Sequence, residues 1–287
     1  MYQYLDKSNE ILDKYLMTIP IDSMTFYRTR INKFFTEYMT LNHRDRPINT
    51  ISYYEINTFI DQLDRSDKEK LNYYVALNNY FSFAYKNDLI NKDIMKGVKK
   101  PITKEKPKKY IDNVSINKLI NYVHNDTQDA IIDRLLVAFF LYTGLSRKYI
   151  ANLTNYQISL ENRYCTLHFD MGTEIKYIPI KKELVDLIKE YRKSFPIVKP
   201  YDKIFSITGE AISKKIKRIS KEVTGNGYTP TIFSNTFIRS ALMIDNDILS
   251  ACKLTLESET TIKKHLNSEQ EENLLKKQID ILNVLFK

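Results

Sequence analysis

Residues 134–153 read RLLVAFFLYTGLSRKYIANL and form the most informative stretch of the chain. Residues 135–142 are apolar without a break, too short a run to cross a bilayer and long enough for a helix buried on nearly all sides. Thr143-Gly144-Leu145 stops that helix, because glycine takes the left-handed cap conformation without steric cost. A second, amphipathic helix follows, with Ile150 and Leu153 on one face. The buried scaffold is thus handed directly to an exposed basic pair, Arg147 and Lys148.

Around this stretch the composition is that of a folded protein. The 287 residues suffice for two domains of ordinary size, and 43% hydrophobic with 12% aromatic content excludes a disordered chain. The 44 Lys and Arg against 35 Asp and Glu leave +9, which favours an acidic partner such as nucleic acid without demanding one. Cys165 and Cys252 lie far apart, and His43, His124, His168 and His265 are scattered, so no disulfide framework, metal or cofactor is expected. Acidic residues in the first turns of MYQYLDKSNEILDKYL exclude a signal peptide or membrane span there. We expect a cytoplasmic protein with no membrane partner.

The first 95 residues read as four helices. Ile11, Leu12, Tyr15 and Leu16 mark one; Phe26, Ile31, Phe34, Phe35 and Tyr38 a second that Ser23 should cap. Thr50 and Ser52 precede a third with Ile56, Phe59, Ile60 and Leu63, and Ser66 opens a fourth with Leu71, Leu77 and Phe81. Four helices joined by short loops make a bundle. Residues 96–109, KGVKKPITKEKPKK, hold seven lysines, one glutamate and two prolines, the composition of an extended tether. Lys96, Lys99, Lys100, Lys104, Lys108 and Lys109 would also lay a positive strip along a phosphate backbone.

Residues 113–124 form a helix that Ser115 should cap, with Ile116, Leu119, Ile120 and Val123 buried. Beyond Tyr156 the period changes to two: NRYCTLHF and TEIKYIPI alternate about a turn near Gly172, which is a small antiparallel hairpin. Helical spacing resumes at residues 182–188, and Pro196 and Pro200 mark its exit. In GEAISKKIKRISKE, Ile212, Ile216 and Ile219 share one face while Lys214, Lys215, Lys217, Arg218 and Lys221 surround the rest. Such a helix is a solvated face, a membrane-surface element or a groove-contacting one. Residues 271–287 are amphipathic, with Leu274, Leu275, Ile279, Leu282, Leu285 and Phe286 available to fold back or to dock on a second copy or a partner recombinase.

The order "apolar helix, TGL, basic residues, NLTNYQISLENRYCTLHF", with FFTEY and LNNYFSFAYKNDLI before it, resembles the tyrosine recombinases of the phage-integrase and Xer-like type, over about residues 5–265. The resemblance implies a mainly α protein. A SAM-like four-helix core-binding domain (residues 1–95) and a basic linker (96–112) would precede a mixed α+β catalytic-type domain (113–287) with a small antiparallel sheet. It also implies a clamp on double-stranded DNA, with the linker and the 209–222 helix on the duplex and Arg147, Lys148 and Lys176 near phosphates.

In that family a tyrosine attacks a phosphodiester while two arginines and a histidine stabilise the transition state and a lysine protonates the leaving oxygen. The first arginine aligns with Ser146, the acid three positions later with Tyr149, and the turn lysine with Met171 or Thr173. The histidine and second arginine of the HxxR box align with Thr231 and Ser234. Thr260-Thr261 matches the pair that precedes the nucleophile, which then falls at Lys264 or His265, and the last tyrosine of the chain is Tyr228. The expected protein therefore clamps DNA without cutting it, in a repressor-like or recombination-accessory role. Two alternatives stay open: a recombinase with a shifted site built from Arg147, Lys176, Arg239 and His265, and an interaction module that has lost DNA.

Overall fold

A computed structural model describes residues 1–104, 107–124, 130–160, 164–195 and 199–284. Sequence readings at Asn162, Arg163, Pro196, Leu285 and Phe286 lie outside the described residues. The chain divides into two compact units, Met1–Lys106 and Pro107–Lys287.

The first unit holds α1 (Leu5–Leu16), α2 (Ile21–Lys33), α3 (Thr40–Asn42), α4 (Tyr53–Gln62) and α5 (Asp67–Lys86). Between α2 and α3, Phe34–Met39 widens into a π-helical turn that buries Phe34, Phe35, Tyr38 and Met39 together. Their rings meet Phe59, Tyr80 and Phe81 mostly edge to face, which suits the quadrupoles of packed aromatics. Ser52 and Glu55 form the capping box of α4, and the buried Glu55 carboxylate is also paired with Arg46. Ser66 caps α5 through the Glu69 amide at 3.4 Å. Ser23 does not cap α2. The fixed φ of Pro20 starts that helix two residues earlier, and the Ser23 amide already donates to the Pro20 carbonyl at 2.9 Å.

In the second unit, α6 (Asn113–His124) is capped by Asp112 and not by Ser115. The Asp112 carboxylate accepts the Ser115 amide at 2.9 Å and the Ser115 hydroxyl at 2.8 Å, because aspartate one residue ahead of the helix reaches both. Then comes α7 (Ile131–Thr143), whose residues 135–140 are all almost fully buried, as the apolar run requires. Arg134, 4% exposed, is neutralised by Glu190. Gly144 ends α7 at φ +63°, where an added Cβ would stand 2.3 Å from the Phe237 ring. After it α8 (Arg147–Asn152) buries Ile150, with Leu145 before it and Leu153 behind it.

Strands β1 (Ile158–Ser159), β2 (Thr166–Asp170) and β3 (Ile175–Pro179) form an antiparallel sheet in the order β1-β2-β3, with His168 opposite Tyr177. Leu167, Phe169 and Ile178 turn to the core. Helices α9 (Lys182–Ser194), α10 (Gly209–Thr224), α11 (Pro230–Asp245), α12 (Ile248–Thr255), α13 (Glu259–Lys263) and α14 (Ser268–Val284) complete the unit. The mainly helical fold with one small antiparallel sheet is the class read from the sequence. No described helix is long and apolar enough to cross a membrane, and no described cluster of His, Cys, Asp and Glu could hold a metal ion.

Candidate functional site

The starts of α8, α10 and α11 line one cavity of about 830 Å³. Ser146, Thr231 and Ser234, which are distant in sequence, meet there with Arg147 and Lys148. Ser146 is the N-cap residue of α8. Arg147 lies along the first turn of α10, its Nη1 donating to Ser213 Oγ at 3.1 Å. Neither Arg147 nor Lys148 has a carboxylate partner among the described residues, and both are exposed. Ser234 is 8% exposed, and its hydroxyl donates to the Gly144 carbonyl at 2.8 Å. Where the resemblance sets an arginine, a short side chain instead ties α11 to the turn of the opening stretch. Phe237, one helical turn on, covers the same glycine.

The acid expected at position 149 is displaced. Tyr149 packs on Phe169 at 5.2 Å, and burial, then Glu257, pushes its hydroxyl pKa up. Glu257 thus lies beside the place of the missing acid and lines the cavity with Thr261, Asn235, Thr208 and Lys203. Sequence reasoning assigned no role to Lys203, Thr208, Ser213 or Asn235. Thr208 carried a signal, since a threonine three residues before Ala211 fits the helix cap it forms at 3.2 Å. Lys203, whose Nζ donates to Asn152 Oδ1 at 2.8 Å, carried none.

The position of the nucleophile is filled differently. Lys264 is exposed, whereas His265 is 5% exposed and accepts the Lys108 ammonium on Nε2. Its Nδ1 lies 3.5 Å from the Tyr110 hydroxyl, and the Arg239 guanidinium stands 4.6 Å from the centre of the Tyr110 ring. Burial first, and Lys108 second, push the His265 pKa down to about 4, so the ring is neutral at pH 7. Tyr228 is buried and donates to Asp112 Oδ2 at 3.0 Å, with Ser115 Oγ also at 3.0 Å. The bonds from Ser115, then that from Tyr228, hold the Asp112 pKa down at about 2.

The basic residues divide. On α10, Ile212, Ile216 and Ile219 are buried and Lys214, Lys217, Arg218 and Lys221 exposed, the amphipathic split read from the sequence. Lys215 departs from it: half-buried, it pairs with Asp133 on α7, because its position borders the buried isoleucine stripe. Arg218 has Glu222 at 4.0 Å, and Lys176 on β3 is paired with Glu174 at 2.5 Å. Lys96, Lys99, Lys100, Lys104 and Lys109 are exposed, while Lys108 is committed to His265. In the first unit, Val98 packs on the core and the Lys99 amide donates to Asn57 Oδ1 at 2.9 Å, which anchors this part of the lysine-rich segment. The four members of a shifted site have separate partners: Ser213 for Arg147, Glu174 for Lys176, Tyr110 for Arg239 and Lys108 for His265.

This architecture is that of the tyrosine recombinases. The solved structure of XerH recombinase bound to palindromic difH substrate, a post-cleavage complex, matches 91% of this chain and 80% of its own at a TM-score of 0.69 and 17% identity. The Tn1549 transposon integrase in complex with transposon right end DNA matches 94% of this chain and 98% of its own at 0.67 and 13%. In sequence, tyrosine recombinase XerA of Saccharolobus solfataricus is 29% identical over 159 residues, which span 55% of this chain and 52% of that protein. The match thus spans about half the length of the curated relative. No family model matches the sequence. Sequence and fold together support the tyrosine recombinase/integrase family for this chain.

Proposed function

We propose that this protein binds double-stranded DNA as a non-cleaving member of the tyrosine-recombinase fold and acts by occupancy, in a repressor-like or recombination-accessory role. One observation carries the reading. Ser146, Thr231 and Ser234 meet in a single cavity, so hydroxyls stand together where the family gathers its phosphate ligands, while Arg147 and Lys148 keep the place cationic. One lost donor costs about 3 kcal/mol of transition-state stabilisation, and several lost together remove most of it. The buried Tyr228 hydroxyl and the Lys108–His265 pair support the same reading, because neither offers a free nucleophile. The exposed Lys99, Lys100, Lys214, Lys217 and Lys221 supply a sequence-independent attraction to phosphates.

Fluorescence anisotropy on mixed-sequence duplexes at low salt tests the binding. The expected outcome is an affinity that falls steeply with added salt, and Lys→Glu changes at Lys214, Lys217 and Lys221 should weaken it about 100-fold and flatten the salt slope. A protein that ignores duplex DNA at low salt, or one that forms a covalent adduct on a nicked suicide duplex, would refute the reading. A second reading, a contact with another copy or a partner recombinase through α14, rests on Leu275 and Ile279, which are 59% and 55% exposed.

A further inference from the structure

The cavity between α8, α10 and α11 has a charge that suits a free ligand better than a DNA backbone. Arg147, Lys148 and Lys203 line it together with the single carboxylate of Glu257, so three cations and one acid leave two positive charges. A phosphodiester brings one negative charge, whereas a phosphate monoester brings about 1.5 to 2 at neutral pH. The cavity, at about 830 Å³, falls in the range of about 300–1,000 Å³ typical of small-molecule sites and far exceeds one phosphate group. Its walls carry donors and acceptors that match hydroxyl groups: Ser213, Thr208, Thr231, Asn152 and Asn235. The first turns of α10 and α11 also open onto it, and α11 begins with Thr229-Pro230-Thr231 and no side-chain cap, so its amide ends add partial positive charge.

We propose that this cavity binds a small hydroxylated phosphate monoester of the sugar-phosphate class, held at Arg147 and Lys148, and that its occupancy competes with duplex DNA. The binding stands by itself; the competition rests on the duplex-binding reading above. Ligand entry places a dianion on the two cations that have no carboxylate partner, which removes them from any DNA phosphate.

Isothermal titration of the full chain with ribose 5-phosphate, inorganic phosphate and ribose is the test, with duplex anisotropy repeated at saturating ribose 5-phosphate. The sugar phosphate should bind, more tightly as pH rises through about 6 where its second proton leaves. Ribose should not bind, and duplex affinity should drop at least about tenfold. Arg147→Gln and, separately, Lys148→Gln should each weaken the sugar phosphate about tenfold with an unchanged circular dichroism spectrum. Lys221→Gln, outside the cavity, should leave it unchanged. Duplex binding with no response to millimolar ribose 5-phosphate overturns this inference and leaves the proposed function standing. Sugar-phosphate binding in a protein that never binds duplex does the reverse. Binding that neither glutamine variant weakens, or that leaves duplex affinity untouched, also overturns it.

Discussion

Two places to which the family resemblance assigns chemistry have taken opposite forms. Around Ser146, Thr231 and Ser234 the side chains are short, the space is open and two cations stand without an acid. Around His265 the space is closed: imidazole, lysine, tyrosine and arginine fill it, and the ring is buried and neutral at pH 7. An open wall can accept a new ligand, whereas a filled one can only contribute to stability. Function and folding free energy therefore separate in space, and each can be perturbed alone.

The strongest way to break this contrast acts on the wall that the open cavity shares with the core. Gly144→Val combines a left-handed φ with a Cβ 2.3 Å from the Phe237 ring, so it should cost about 3 kcal/mol or more in chemical denaturation. A loss below about 1 kcal/mol would mean that Phe237 swings away freely.

Next in size is the acid response of the closed site. The folded-state pKa of His265 is depressed to about 4 from an unfolded value of 6.5, so the unfolded chain takes up the proton first. Its contribution is complete above about pH 6.5 and is lost as pH falls toward about 4. Stability should decline by at most about 2 kcal/mol across that window, allowing for solvent screening, and His265→Gln should flatten the decline. Asp112 acts in the same direction only lower, between its ordinary 3.8 and about 2. A wild-type profile that is flat between pH 6.5 and 4 would remove the closed site from the comparison.

The smallest effect refines the open site. Ser234→Ala deletes the hydroxyl bonded to the Gly144 carbonyl and should cost about 1 kcal/mol in stability while leaving duplex affinity within twofold. An affinity loss of tenfold would give Ser234 a direct contact with the bound phosphate.

Much of the frame was legible because periodicity and caps are local. The run at 135–142, the stop at Gly144, the Ser52 and Ser66 caps, the hairpin and the isoleucine stripe of α10 each follow from a few adjacent residues. Failures arose where two residue types compete for one role: Pro20 outranked Ser23, and Asp112 outranked Ser115. The site was legible in part. Ser146, Thr231 and Ser234 were named one by one from the resemblance, and their meeting in one cavity is a property of the folded chain alone. Lys215 with Asp133, Lys108 with His265 and Glu257 beside Tyr149 pair residues far apart in sequence, where no spacing rule applies.

The π-helical turn at Phe34–Met39 has a bearing on descent. Removing one residue there would restore α-helical winding and rotate everything from Thr40 onward by about 100°. The Thr40 hydroxyl accepts the Tyr2 amide at 3.0 Å, and the Arg46 carbonyl accepts the Tyr2 hydroxyl at 2.7 Å. A single-codon deletion in this helix would thus unfasten residues more than thirty positions away, so chain length is under selection here as strictly as residue identity.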